Sequence, residues 1–205
     1  MQKKPRTGYI VAALAIGAVA WSGVFLTEIL NFWYRLTSAT LIFLVLTYFG
    51  DKTALRLNFR PKDIVIGLVS GFLLYGFFFA GFNVAKGLDI IAQGAEDVYA
   101  FKTGLPVGVI GLLLLFPISP AEEIFWRGLL QNGFVAKFGR LSGYVMTTLA
   151  YSLVHLPTFN YPLMLVALIA GLAWGALLLK TNSVTPGVIS HVIFNEMIFV
   201  ILPIN

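Results

Sequence analysis

Long runs of apolar residues, separated by short polar connections, follow one another along the chain. A helix needs about 20 residues, at a rise of about 1.5 Å each, to cross a hydrocarbon core of about 30 Å. The pattern therefore predicts about seven transmembrane helices, over residues 9–30, 32–49, 64–84, 105–140, 141–155, 163–179 and 186–202. The polar stretches 51–63 and 86–104 are predicted to be loops. The fourth run is too long for one plain span, because it continues through two prolines and several charged residues.

The composition places these helices in a membrane. Hydrophobic residues make up 59% of the chain and charged residues only 11%, whereas about 25% of an ordinary soluble domain is charged. So few charges cannot cover a water-facing surface, and soluble folds are excluded. We predict an all-α, polytopic helical membrane protein forming a single integral-membrane domain over residues 1–205. Its N-terminal spans occupy residues 1–104, and its last four helices lie within 105–205.

The chain has no cysteine, which excludes disulfides, thiolate-bound metals and thiol nucleophiles. The net charge is +5. We interpret the basic residues as markers of the chain's orientation in the membrane, because Lys and Arg are enriched in the cytoplasmic loops of membrane proteins. No nucleic-acid partner is expected. If the spans alternate, the basic clusters at Lys3, Lys4 and Arg6, at 51–62, at 137–140 and at Lys180 share one side. We therefore predict a cytoplasmic N-terminus in the cell's inner membrane.

The segment from Pro120 to Gly128 carries three charges inside an apolar run. Insertion of each charged side chain into the bilayer costs about 2.5–3.5 kcal/mol, so we expect each one to have a structural or chemical role. Glu123 and Arg127 are four residues apart and share a helix face, whereas Glu122 is turned by about 100°. We expect Glu123 and Arg127 to form a buried, supporting ion pair. Glu122 then remains available for chemistry.

Both histidines of the chain fall in predicted apolar helices. His155 shares a helix face with Tyr151, and His191 shares one with Asn195, because each pair is four residues apart. Two such pairs indicate a polar site. The alternative is that His191 and Asn195 link helices by hydrogen bonds and that Tyr151 is an aromatic packing residue.

The helical rise indicates whether these groups can meet. Glu122 and His155 lie about 24 and 21 Å from the turn at 138–140, and His191 lies about 8 Å from the start of its span. We therefore expect Glu122, His155 and His191 to share one layer near the cytoplasmic face.

A carboxylate and an imidazole that hold one water are sufficient for hydrolysis. A second imidazole and an amide can donate hydrogen bonds to the oxyanion of a tetrahedral intermediate. Other intramembrane protease signatures, such as His-Glu-x-x-His, Gly-x-Ser-Gly and Gly-x-Gly-Asp, are absent from the sequence. The residues therefore suit hydrolysis by a glutamate and two histidines.

The chain carries three spaced motifs in a fixed order: Glu122-Glu123-x-x-x-Arg127, Tyr151-x-x-x-His155 and His191-x-x-x-Asn195. Together they resemble the CPBP family of CAAX proteases and bacteriocin-processing membrane proteins, which includes the Rce1-type CAAX endopeptidases. The resemblance covers about residues 105–202, roughly half of the chain. The family's second motif usually begins with Phe, and here Tyr151 stands in that place. We expect little effect from this difference, because the aromatic ring is kept.

The resemblance implies a glutamate-dependent intramembrane endopeptidase whose site is open toward the cytoplasm. It also implies that the last four helices, within residues 105–205, form the catalytic core. It implies that Glu122 activates water together with His155, and that His191 and Asn195 form the oxyanion site. The supporting residues are Glu123, Arg127 and Tyr151. The implied partners are the lipid bilayer and a protein or peptide with a hydrophobic or lipidated segment.

Three alternatives remain at the level of sequence. Glu122, His155 and His191 form a possible zinc-binding set, although we expect no cofactor. A proton-coupled membrane carrier also uses intramembrane Glu and His residues. A non-catalytic family member could instead act as a binding or immunity partner.

Overall fold

The computed structural model describes residues 6–204, and in this range it contains helices and connections but no strand. The predicted all-α fold is therefore confirmed. The α-helices are α1 (Thr7–Leu26), α2 (Phe32–Gly50), α3 (Pro61–Ala85), α4 (Asp89–Ala100), α5 (Val107–Leu113), α6 (Ser119–Glu123), α7 (Asn132–Phe138), α8 (Arg140–Leu153), α9 (Tyr161–Thr181) and α10 (Thr185–Glu196). Between α5 and α6 the helix is broken at Phe116, whose backbone is extended (φ −161°, ψ 120°). A wider π-helical turn at Ile124–Gln131 joins α6 to α7, and another at Met197–Ile201 extends α10.

Five helical segments within residues 6–204 are long and apolar enough to cross a membrane. They are α1, α2, α3, the segment Val107–Phe138, which bends at Phe116, and α9. The other two predicted spans are shorter: α8 has 14 residues, and the last apolar segment is Thr185–Ile201. Large apolar side chains such as Val19 and Phe49 remain exposed, as is appropriate for a surface that faces lipid. The structure thus supports an integral membrane protein, and the count of seven spans stays a prediction.

The ends of the helices follow from local sequence signals. Asn31 begins α2 because its side-chain oxygen accepts a hydrogen bond from the Trp33 amide, at 3.0 Å. Asn160 begins α9 in the same way, through the Leu163 amide at 2.8 Å. Helix α9 ends at Thr181 because the next residue, Asn182, has a φ of 50° in the left-handed region.

The connections that carry basic residues lie at one end of the bundle. The Asn58 amide donates to Thr185 Oγ1 at 3.0 Å, which joins the α2–α3 connection to the start of α10. Arg140 Nη2 donates to the Leu179 carbonyl at 2.6 Å, which joins the start of α8 to the end of α9. Lys3 and Lys4, which contribute to the predicted orientation, lie outside the described residues. The cytoplasmic N-terminus stays a prediction.

The prediction of a loop over 86–104 is wrong for residues 89–100, which form α4. Polar residues at 89, 93 and 97 share one face of this helix, whereas Ile91 and Val98 face the interior of the bundle. Asn160 Nδ2 ties α4 to α9 by donating to the Gly94 carbonyl at 2.8 Å. The low hydropathy of the segment concealed its helical period.

Helix α10 is held by close packing against α3. A Cβ added at Gly67 would lie 2.6 Å from Ile189 Cβ, and one added at Gly71 would lie 2.7 Å from Ile193 Cβ. Small residues four positions apart let two membrane helices approach each other closely. This contact fixes α10, the helix that carries the third motif.

Candidate active site

A cavity of about 410 Å³ lies inside the bundle, between α1, α2, α3, α4, α8, α9, α10 and the segment Val107–Phe138. Its wall is mostly aromatic and aliphatic. The four residues predicted to be catalytic all line it: Glu122, His155, His191 and Asn195. Each has less than a tenth of its surface exposed. The structure therefore brings the chemistry of three motifs to one cavity.

Glu122 lies on α6 and faces α8 across the cavity wall. The Tyr151 hydroxyl donates a hydrogen bond to Glu122 Oε2 at 3.2 Å. Within residues 6–204 no other group donates to this carboxylate. One carboxylate oxygen is thus held, and the other is without a protein partner.

Glu123, one residue further, lies in a cluster of charged and polar groups. Arg127 Nη1 donates to Glu123 Oε1 at 2.9 Å, and His191 Nδ1 donates to the same oxygen at 3.1 Å. The side chains of Glu123 and Arg127 are almost fully buried, at 0% and 1% exposed. The Arg127 guanidinium also lies 4.4 Å from the centre of the Tyr151 ring. The predicted ion pair is therefore present, and it includes a histidine that sequence reasoning had assigned only to the oxyanion site.

His155 does not lie within a helix, contrary to the sequence prediction. Helix α8 ends at Leu153, and His155 stands in the turn that follows. Pro157 explains the earlier end, because it has no amide N–H to donate to the Leu153 carbonyl and its ring would clash with that carbonyl in a continued α-helix. His155 Nδ1 donates to the Tyr151 carbonyl at 3.0 Å. In the neutral imidazole this leaves Nε2 as an acceptor.

His191 and Asn195 lie one turn apart on α10, as their spacing predicted. The Trp174 indole stacks on the His191 ring, with 3.9 Å between ring centroids and 19° between planes. Asn195 Nδ2 donates to Ser119 Oγ at 3.0 Å. The second N–H of the Asn195 amide has no partner within the described residues and is available to a ligand.

Sequence reasoning missed several contributors to this site. Trp174 and Ser119 orient the third motif, and Trp21 of α1 presents its ring to His155 at 5.5 Å between centroids. Aromatic residues make up 15% of the chain, so no single one stood out. The sequence could have pointed to Ser119, because it precedes Glu122 by three residues and therefore lies on the same helix face.

Helical spacing relates the site to the end of the bundle that carries the basic connections. Glu122 lies six residues, about 9 Å, from Gly128, which packs against Ala54 in the basic α2–α3 connection. His191 lies at a similar distance from the start of α10. The cavity, however, extends away from this end, because it is lined by the start of α2, the end of α3, α4 and the start of α9. The expectation that Glu122, His155 and His191 share one layer near the cytoplasmic face stays a prediction.

The possible metal ligands can be compared with the geometry of the side chains. Among the described residues, no group of three or more His, Cys, Asp or Glu side chains is arranged to hold a metal ion. The alternative zinc set of Glu122, His155 and His191 is thus not assembled in this arrangement. That the protein needs no cofactor stays a prediction.

Comparison with known proteins bears on the second half of the chain. No curated protein and no solved structure matches this sequence. Residues 102–197, which contain all three motifs, match the family model described as type II CAAX prenyl endopeptidase, Rce1-like. This range agrees with the resemblance predicted over about 105–202. The match confirms that resemblance for residues 102–197, and it supports an intramembrane protease role.

Proposed function

We propose that the protein is an intramembrane endopeptidase that hydrolyses a peptide bond of a membrane-anchored or lipidated protein substrate. One observation carries the proposal: Glu122, His155, His191 and Asn195, taken from three separate motifs, line one largely apolar cavity. The family match supports the same reaction class.

In this proposal Glu122 is the general base. Its unpaired oxygen takes a proton from a water molecule, and the water oxygen forms a bond to the carbonyl carbon of the substrate. His155 orients the same water through its free Nε2, because its Nδ1–H is occupied by the Tyr151 carbonyl. Burial of both groups supports this assignment, since few other waters compete in such a site.

The oxyanion formed by this attack requires donors. Asn195 offers its second amide N–H, the first being used by Ser119. His191 donates through Nε2–H when it is doubly protonated, and Glu123 then provides the counter-charge at Nδ1. As the tetrahedral intermediate collapses, the C–N bond breaks and Glu122 returns its proton to the leaving nitrogen.

The cavity wall favours an apolar substrate group. Aromatic side chains of α1, α2, α3 and α4 surround the space beside the polar residues. Burial of apolar surface stabilises binding by about 25 cal/mol per Å², so a long hydrophobic or lipid group gains most from such a wall. We therefore include a hydrophobic or lipidated segment in the proposed substrate.

Proteolysis by the purified protein in liposomes tests this proposal. The probes are two internally quenched peptides that end in the same CAAX sequence, one farnesylated at its cysteine and one unmodified. We expect wild type to cleave at least one of them. Glu122→Gln should reduce kcat by at least about 10³-fold, because amide cannot accept the proton from water.

Glu196→Gln is the matched control. Glu196 follows Asn195 on α10 but does not line the cavity, so its neutralisation should leave kcat within about twofold of wild type. If wild type cleaved neither peptide, or if Glu122→Gln cleaved as fast as wild type, the proposed function would be wrong.

A further inference from the structure

We infer that the Tyr151 hydroxyl orients Glu122 for catalysis, which makes Tyr151 a positioning residue of the active site. The inference rests on the proposed function. It reverses the expectation from sequence that only the aromatic ring of this residue matters.

The contact between the two side chains is the first observation. The Tyr151 hydroxyl donates to Glu122 Oε2 at 3.2 Å, with both residues about 95% buried. It is the only hydrogen bond that the Glu122 carboxylate receives from residues 6–204. A donor fixed on Oε2 selects one rotamer of the carboxylate and presents Oε1 to a ligand. A phenylalanine at this position would leave both oxygens without a protein donor.

The position of the hydroxyl is itself fixed by the packing of the ring. Arg127 lies 4.4 Å from the ring centre, and Trp126 packs against the ring edge-on at 5.3 Å between centroids. A Cβ added at Gly171 would lie 3.2 Å from Tyr151 Cδ1, so the glycine leaves room for the ring on the α9 side. The ring is therefore held before substrate binds, and little orientation entropy is lost at the reaction step.

The backbone of the same residue holds the second member of the water-activating pair. His155 Nδ1 donates to the Tyr151 carbonyl at 3.0 Å. Tyr151 thus orients the Glu122 carboxylate through its hydroxyl and the His155 imidazole through its carbonyl. Both contacts converge on the water that Glu122 and His155 would share.

The size of the effect follows from what each atom contributes. Loss of the hydroxyl leaves the ring, the Arg127 contact and the Tyr151 carbonyl in place. The carboxylate then samples orientations that do not face the water, which lowers the rate of the chemical step without removing substrate contacts. We expect about a tenfold fall in kcat, with KM within about twofold of wild type.

Tyr151→Phe and Tyr144→Phe form a matched pair for the experiment. Both tyrosines lie on α8, and the Tyr144 hydroxyl donates to the Leu172 carbonyl at 2.8 Å, outside the cavity. Cleavage of the farnesylated, internally quenched peptide is measured for both variants in liposomes. We expect the fall in kcat only in Tyr151→Phe. Equal kcat in the two variants would overturn the inference.

A stability measurement keeps the inference testable if Tyr151→Phe folds poorly. Thermal midpoints in detergent are compared for Tyr151→Phe, Glu122→Ala and the double variant. If the hydroxyl acts through Glu122, the double variant should lose less than the sum of the two single losses. Additive losses would contradict the contact. Loss of activity in Glu122→Gln together with full activity in Tyr151→Phe would retain the proposed function and reject this inference alone.

Discussion

Two adjacent glutamates of the same segment have opposite surroundings. Glu123 accepts hydrogen bonds from Arg127 and His191, in a fully buried cluster beneath the cavity wall. Glu122 accepts one bond from a neutral hydroxyl and lines the cavity. The two differ because neighbouring positions on a helix point about 100° apart. Glu123 faces α10 and Glu122 faces α8.

This difference separates a structural charge from a chemical one. A carboxylate paired with a buried guanidinium is needed for stability. If the carboxylate is removed, the guanidinium stays as a charge without a partner in a low-dielectric interior. A carboxylate with a single neutral donor keeps one oxygen for a substrate water. Substitutions at the two positions should therefore fail in different ways.

The largest expected effect is on the stability of Glu123→Gln. The amide leaves Arg127 buried without its counter-ion, so we expect the free energy of unfolding to fall by about 3–5 kcal/mol. Unfolding of the purified protein in mixed micelles measures this value. Glu122→Gln is the control, because Gln keeps an acceptor for the Tyr151 hydroxyl and leaves no ion unpaired; its change should stay below about 1 kcal/mol. Equal losses in the two variants would remove the distinction between the glutamates.

Much of this contrast could be predicted from the sequence. Charges are rare in the chain, at 11% of residues, and each charge within an apolar helix needs a partner or a function. The four-residue spacing predicted the ion pair between Glu123 and Arg127. Glu122, which lies on another face of the helix, was predicted to remain available for chemistry. The apolar runs gave the long helices to within a few residues, for example 32–49 against Phe32–Gly50.

The remaining features depend on tertiary contacts that periodicity does not contain. Helix α4 is amphipathic and short of apolar residues, so a search for long apolar runs missed it. The hydrogen bond from Tyr151 to Glu122 joins residues 29 positions apart, on helices whose relative rotation no spacing rule supplies. Sequence reasoning missed the aromatic cavity wall for a different reason. Aromatic side chains occur in nearly every helix of this chain, so their positions do not indicate a site.

The next effect concerns the cavity beside Glu122. Phe32, at the start of α2, lines the cavity and stacks on Phe101 with 4.1 Å between centroids. Phe32→Ala removes apolar wall without touching Glu122 or His155. We expect KM for the farnesylated peptide to rise about tenfold, with kcat within about twofold of wild type.

Phe49→Ala controls for the loss of a ring from α2. Phe49 is 73% exposed on the lipid-facing surface of the same helix, so its truncation should leave both kinetic parameters unchanged. A fall in kcat without a change in KM in Phe32→Ala would mean that the wall shapes the reacting groups and does not bind substrate.

The smallest expected effect is that of Ser119→Ala, which tests whether the oxyanion side of the site is oriented as Glu122 is. Ser119 Oγ accepts the hydrogen bond from Asn195 Nδ2 at 3.0 Å. Without this acceptor the Asn195 amide rotates more freely, and we expect kcat to fall about threefold in the liposome assay. Ser38→Ala, which removes an exposed hydroxyl bonded within α2 to the Tyr34 carbonyl, should have no effect. Glu122 on the water side and Asn195 on the oxyanion side would then each depend on a neutral hydroxyl. A loss of unfolding free energy comparable to that of Glu123→Gln would instead place Ser119 with the structural cluster.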